Sequence, residues 1–227
     1  MPNWPPPPHG AADSFMPPDR TSFLIDGFNL YHSIVKAGEA LGKPLKWLNV
    51  RALCESFLPS LGPDSVAREF HYFSAYAHHK KRWDRDVVVR HKRLVACLRD
   101  TGVQVHMARF KQKNQWCAGC QQWYLHHEEK ETDVAMAVKL IDVFLADSCD
   151  TAVLVTGDTD FAPAVRYVTQ HYPTKRVCFL FPYARKNNEL GKLGLACKIS
   201  KEHYEQFQFP DVVTLANGTQ QVKPATW

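Results

Sequence analysis

The feature that most constrains this chain is a rhythm: short apolar runs, rich in β-branched and aromatic residues, alternate with longer stretches spaced for helices. Phe23-Leu24-Ile25 reads as a buried strand, after which Leu30, Tyr31, Ile34 and Val35 fall at helical intervals. Glu69 to Ala75 is the next strand, Val87 to Leu98 a helix, and Val103 to Met107 a third strand. A polar insertion from Lys111 to Gln122 then interrupts the order. A helix through Val134, Val138, Ile141 and Leu145 resumes it, followed by a strand Ala152 to Val155, a helix around Ala164 to Val168 and a strand Arg176 to Phe181. Helical segments are expected near Glu189 to Ala196 and Lys201 to Phe207. About five strands separated by helices predict a three-layer α/β domain with a central parallel sheet, because parallel neighbours need crossover connections. Functional groups in such sheets gather beyond the carboxyl ends of the strands.

Composition sets the boundaries. The 227 residues are 45% hydrophobic and 22% charged, which excludes wholesale disorder, collagen and coiled coil. Residues 1–20 hold seven prolines and read as a disordered arm, 21–208 as the folded domain with a cysteine-containing insertion near 111–127, and 209–227 as a flexible tail. Lys and Arg number 28 against 23 Asp and Glu, and a net charge of +5 suits a polyanionic partner. Seven irregularly spaced cysteines with no apolar leader segment point to a reducing, cytoplasmic setting. No run approaches the roughly 18 apolar residues of a membrane span, so no membrane partner is expected. The oligomeric state stays open, a homo-oligomer included.

Carboxylates mark the strand ends. The first strand runs into Asp26-Gly27-Phe28-Asn29, and the helical spacing that follows favours a strand-to-helix turn over a hairpin. The fourth ends in Thr156-Gly157-Asp158-Thr159-Asp160, where Asp160 is the better candidate for a simple helix cap and Asp158 lacks that explanation. Asp133 opens an apolar helix, where an acid also suits the helix dipole. Two like charges about 6 Å apart at an effective dielectric near 20 repel by roughly 3 kcal/mol. If Asp26, Asp133, Asp158 and Asp160 converge, either some take up protons or a hard divalent cation, Mg²⁺ or Mn²⁺, neutralises them.

Three segments then carry a resemblance: Leu24-Ile25-Asp26-Gly27-Phe28-Asn29-Leu30-Tyr31, Glu129-Lys130-Glu131-Thr132-Asp133-Val134, and Thr156-Gly157-Asp158-Thr159-Asp160-Phe161. In order and spacing they resemble the acidic motifs of the NYN domain family, and more narrowly the LabA-like branch of the PIN-like ribonuclease superfamily. The resemblance implies a PIN-like parallel sheet, a divalent-metal centre and cleavage of RNA, single-stranded RNA above all. Carried over by position, Asp26, Asp133, Asp158 and Asp160 are the catalytic and metal-binding carboxylates, with Asn29 and Thr156 as polar supports. Asn187 departs from the pattern, standing where related sequences often carry a small hydroxyl residue, in the loop that holds Arg185.

Basic residues surround these motifs. Lys80, Lys81, Arg82 and Arg85 open a cationic run beside Trp83, and Arg109 and Lys111 precede Trp116; phosphate contact and base stacking are the functional reading, a solvated surface the plain one. A catalytically weak RNA-binding or regulatory module is the alternative to an enzyme. An aspartyl-phosphate phosphatase is weaker, because Phe161 stands where that class has glycine. Finally, Cys117-Ala118-Gly119-Cys120 with His126 and His127 offers a structural Zn²⁺ set, although adjacent histidines rarely point the same way and His106 is another fourth ligand. The plain reading is a reduced loop pair or an incidental disulfide.

Overall fold

A computed structural model describes residues 18–227. The arm expected over residues 1–20 therefore lies almost wholly outside the described residues, and its last two, Asp19 and Arg20, belong to the first strand. In chain order the elements are β1 (Asp19–Asp26), α1 (Gly27–Leu41), α2 (Val50–Glu55), α3 (Leu58–Leu61), β2 (Ser65–Ala75), α4 (Val87–Asp100), β3 (Gln104–Cys117) and β4 (Gln122–Lys130). They continue with α5 (Thr132–Leu145), β5 (Thr151–Val155), α6 (Ala162–His171), β6 (Arg176–Phe181), β7 (Leu195–Lys198), α7 (Lys201–Gln206), β8 (Val212–Thr214) and β9 (Gln220–Val222).

The main sheet has seven strands in the order β4-β3-β2-β1-β5-β6-β7. All neighbours are parallel except β3 and β4. The chain builds outward from β1 on one side, then returns to lay β5 against β1 and builds outward on the other. The switch point of the sheet thus falls between β1 and β5, where an open α/β sheet leaves a crevice at its carboxyl end.

Alternation of side chains sorts the core into two halves. Phe23 and Ile25 of β1, Val153 and Val155 of β5 and Leu180 of β6 point to the face covered by Leu30, Ile34 and Ala37 of α1 and by Leu94 and Leu98 of α4. Leu24, Leu154 and Phe179 point the other way, under Met136, Leu140 and Val143 of α5 and Val165 and Val168 of α6. Phe23, Leu24 and Ile25 are all fully buried, at roughly 1.5–3 kcal/mol of hydrophobic stabilisation each. A strand covered on both faces explains why the sequence shows an unbroken apolar run there and no alternation.

Three segments differ from the sequence expectation. The polar insertion is a two-stranded antiparallel ribbon: β3 pairs with β2 only through Ala108, and from Arg109 to Cys117 its one strand partner is β4. The helix expected over Glu189 to Ala196 is instead a single 3₁₀ turn, Leu190–Lys192, followed by edge strand β7. The tail expected to be flexible forms the β8–β9 hairpin. Its final residue, Trp227, is buried with its ring 6.5 Å from that of Trp47, whose indole N–H donates to the carbonyl of Pro210 at 2.9 Å. Among the described residues, no helix is long and apolar enough to cross a membrane.

Candidate active site at the switch point

Asp26 is the last residue of β1 and the N-cap of α1. One carboxylate oxygen accepts the backbone N–H groups of Phe28 (3.1 Å) and Asn29 (2.9 Å), and the other accepts the Thr156 hydroxyl at 2.9 Å. Its side chain is therefore fixed at both ends. Gly27 is obligatory beside it, because a Cβ there would lie 2.5 Å from the carbonyl oxygen of Phe73. Burial pushes the Asp26 carboxyl above the ordinary range, against the pull of its Asn29 and Thr156 hydrogen bonds, and the Asp158 charge adds to the push.

Thr156 follows β5 and is fully buried. Its hydroxyl also accepts the N–H of Asp158 at 3.1 Å, so one oxygen couples the acids of two neighbouring strand ends. The intervening Gly157 is gripped on both sides: its N–H donates to Asn29 Oδ1 and its carbonyl accepts from Asn187 Nδ2, each at 3.2 Å. A Cβ at Gly157 would lie 2.0 Å from the Arg185 carbonyl oxygen. The loop after β6 is itself anchored, since Ser33 donates to the Tyr183 carbonyl (2.8 Å) and the Tyr183 N–H donates to the Tyr204 hydroxyl (3.2 Å).

Asp158 caps the 3₁₀ turn Thr159–Phe161, accepting the N–H of Asp160 at 3.0 Å. The capping role expected of Asp160 thus belongs to Asp158, and Asp160 is exposed in the first turn. Asp133, in the first turn of α5, faces the same cleft. Its carboxyl is pushed up to about 6, by desolvation first and then by the charges of Asp26, Glu129, Asp158 and Asp160. Asp26, Asp158 and Asp160 thus lie within electrostatic reach of Asp133.

Two non-glycine residues in left-handed backbone conformations border this cleft: Glu131 (φ 85°) before α5 and Ala184 (φ 57°) in the loop over Gly157. Such conformations cost roughly 1–3 kcal/mol and persist where surrounding contacts enforce them. Glu131 is held by Arg109 (2.8 Å) and lies 3.9 Å from Lys111, so these two cations are engaged at the foot of the ribbon. Burial, then the charges of Arg185 and Lys80, hold the His32 imidazole of α1 below its ordinary range. Lys81, Arg82 and Arg85 are exposed after the carboxyl end of β2, where Trp83 is 75% exposed.

Sequence reasoning missed His32, Glu129 and the clamp of Asn187. Glu129 accepts the N–H of Thr132 at 3.1 Å and also its hydroxyl, and so starts the helix that carries Asp133. The motif containing Glu129 was the available signal; Asn187 stood out only as a departure from the family pattern, and its clamp was hidden because the partner is a backbone carbonyl thirty residues away. A cavity of about 540 Å³ adjoins the clamp, lined by Phe181, Lys186, Asn187, Lys192 and Lys198 among others.

The acids supply only oxygen donors, which suit a hard cation. Among the described residues no group of three or more His, Cys, Asp or Glu side chains forms a ready-made cage. The zinc set is not brought together. His126 and His127 pair with Lys113 and Gln112, four and five residues back along the ribbon from Cys117, or roughly 13–17 Å at strand rise. His127 stacks on His79 with ring centroids 4.5 Å apart, and His106 bonds His71 at 3.1 Å in the domain body.

The fold is a mostly parallel α/β sheet of the PIN-like kind, with aspartates at both strand ends of its switch point. The NYN domain family matches residues 20–197, and the chain belongs to that family. It is also 26% identical over 246 residues to 6-hydroxy-3-succinoylpyridine 3-monooxygenase HspA of Pseudomonas putida, covering 92% of this chain and 76% of that protein. A crystal structure of a Vibrio parahaemolyticus protein of unknown function shares the fold, with a TM-score of 0.53 at 18% identity, over 85% of this chain and 97% of that one.

Proposed function

We propose that the protein is a divalent-metal-dependent ribonuclease of the LabA-like branch of the PIN-like superfamily, acting on single-stranded RNA in the cytoplasm. The observation that supports it best is the Thr156 hydroxyl, bonded at once to Asp26 and to the backbone of Asp158, with Asp133 feeling the charge of every acid in the cleft. Asp26, Asp133, Asp158 and Asp160 would hold Mg²⁺ or Mn²⁺, and the ion, when bound, supplies charge neutralisation at the scissile phosphate and a readily deprotonated water. Asp26 is a fixed acceptor, since Thr156 and two backbone N–H groups prevent its rotation. Asn29 and Asn187 hold Gly157 so that Asp158 keeps its place. Lys80 and Arg185 flank the approach and attract the phosphate backbone, and the exposed Trp83 offers a face for an unpaired base. All seven cysteines are free, which suits a reducing compartment.

Purified protein with Mn²⁺ or Mg²⁺ is expected to cut single-stranded RNA, and Asp158→Asn to abolish cutting while leaving the melting curve intact. Cutting that survives the substitution removes the assignment. Saturable RNA binding without cleavage over varied substrates selects the binding or regulatory module instead. A second reading comes from the Pseudomonas putida relative, whose name describes a monooxygenase acting on a substituted pyridine. The lysine-lined cavity beside Asn187 lies within the size range of small-ligand pockets and suits an anionic ring compound. Turnover of that pyridine with oxygen and a reduced nicotinamide, and none of RNA, favours it.

A further inference from the structure

The ribbon beyond Ala108 belongs to neither half of the core, yet its tip is chemically specific. Cys117 ends β3 and Cys120 lies in the connecting turn, which Gln121, in left-handed backbone (φ 51°), returns into β4. The Cys117 sulfur lies over Gly119, 4.0 Å from where a Cβ would stand, and is approached by the backbone N–H groups of Gly119 and Cys120. Two sulfurs are thus gathered on one side of a tight turn at the far end of a projecting ribbon. Cys117 is half-buried and Cys120 exposed, so a second molecule can reach both.

Tetrahedral zinc takes four ligands, and a Cys-x-x-Cys turn supplies two. The ribbon's own histidines are too far back to supply the others, and among the described residues no third donor joins the pair. The structure points to a Cys₄ zinc site shared by two copies of this chain, each contributing Cys117 and Cys120 from its ribbon tip. On zinc binding each of the four thiols releases its proton to solvent as the metal–sulfur bond forms.

A second observation concerns the same tip. Register places Trp116 opposite Trp123 and Asn114 opposite Leu125, so Trp116, Trp123 and Leu125 share one face of the ribbon, 48%, 68% and 50% exposed. The two indoles touch edge to face at 5.5 Å. An isolated two-stranded ribbon is marginal in water, and clustered exposed aromatics mark an interaction surface. A second ribbon clasped at the sulfurs covers that face. Cys54, Cys97, Cys149 and Cys178 are buried in the body and are not competing ligands.

The site is independent of the nuclease reading and is tested without it. Full-length protein, purified under reducing conditions and supplied with zinc, is expected to carry one zinc per two chains by elemental analysis and to sediment as a dimer. A strong chelator returns it to monomer. Co²⁺ in place of zinc gives the thiolate charge-transfer absorption and the strong visible bands of a tetrahedral sulfur site. Cys117→Ser and Cys120→Ser each lose metal and dimer together; both positions lie outside the core, and far-UV circular dichroism checks that the variants fold. Any of three results overturns the proposal: one zinc on a monomeric chain, no zinc uptake by reduced protein, or a dimer that persists in both serine variants.

Discussion

The carboxylate of Asp26 and the hydroxyl of Thr156 meet at 2.9 Å although they stand 130 residues apart in the chain, at the ends of adjacent parallel strands. The same hydroxyl accepts the Asp158 N–H, so removing it loosens two acids at once. Thr156→Val keeps the shape and deletes both bonds. We expect a loss of about 1–3 kcal/mol in stability, because Asp26 is left buried with an unpaired oxygen, and a fall in RNA cleavage at least tenfold. Chemical denaturation and initial rates measure the two effects; Thr156→Ser should recover most of both.

Stability in the absence of divalent ions should fall as pH rises between the ordinary carboxylate range and about 6. Asp133 has its folded pKa raised, so the folded state binds more protons than the unfolded one across that window and loses stability as the acid ionises. Asp133→Asn is therefore expected to raise Tm near pH 7 and to leave it unchanged near pH 3. Added Mg²⁺ should raise the Tm of the unaltered protein near pH 7 and have less effect on the variant. A Tm of Asp133→Asn equal to that of the parent at pH 7 without metal would show that the acids do not repel.

Gly157→Ala forces a methyl group against the Arg185 carbonyl, which backbone cannot yield without moving the loop after β6. The expected cost is about 1–3 kcal/mol with a loss of activity beyond it, since the clamp from Asn29 and Asn187 is broken. Asn187→Ala removes the bond to the Gly157 carbonyl and the two that its Oδ1 accepts from the N–H groups of Glu189 and Leu190, and should cost about 1–3 kcal/mol. Thermal denaturation and cleavage rates rank the two variants.

Tyr204→Phe deletes a buried hydroxyl that contacts Ser33 at 2.7 Å and accepts the Tyr183 N–H. A destabilisation of about 1–2 kcal/mol is expected, with slower cleavage through the loosened loop and no change in metal affinity. Isothermal titration with Mn²⁺ separates that outcome from damage to the acids themselves.

Lys80→Ala and Arg185→Ala should each weaken RNA binding and lower the slope of log affinity against log salt by about one unit or less. Arg109→Ala should do so less, because Arg109 is already paired with Glu131. Fluorescence anisotropy over a salt series distinguishes them.

The strands of the core were legible because burial on both faces leaves continuous apolar runs, as at Phe23-Leu24-Ile25, and the aspartates were legible because they stand where those runs stop. The ribbon was not. Most of its residues between Arg109 and Lys130 face water on both sides, so no hydrophobic period marks them as strand. Asp158 and Asp160 were assigned in reverse because capping depends on the backbone path of a three-residue turn, which composition does not encode. The buried end at Trp227 was missed because one indole among polar residues carries no pattern; its ring finds Trp47, a partner far away in sequence.

The pairing of β1 with β5 sets when the centre comes into being. A polypeptide folded only as far as β4 holds Asp26 with no acidic counterpart from the second strand end. The Asp26–Asp158 charge conflict arises only when the returning segment docks, a pairing about 130 residues apart in the chain. Asp26 and Thr156 are therefore joined by the docking of two strands and not by any local turn of the chain.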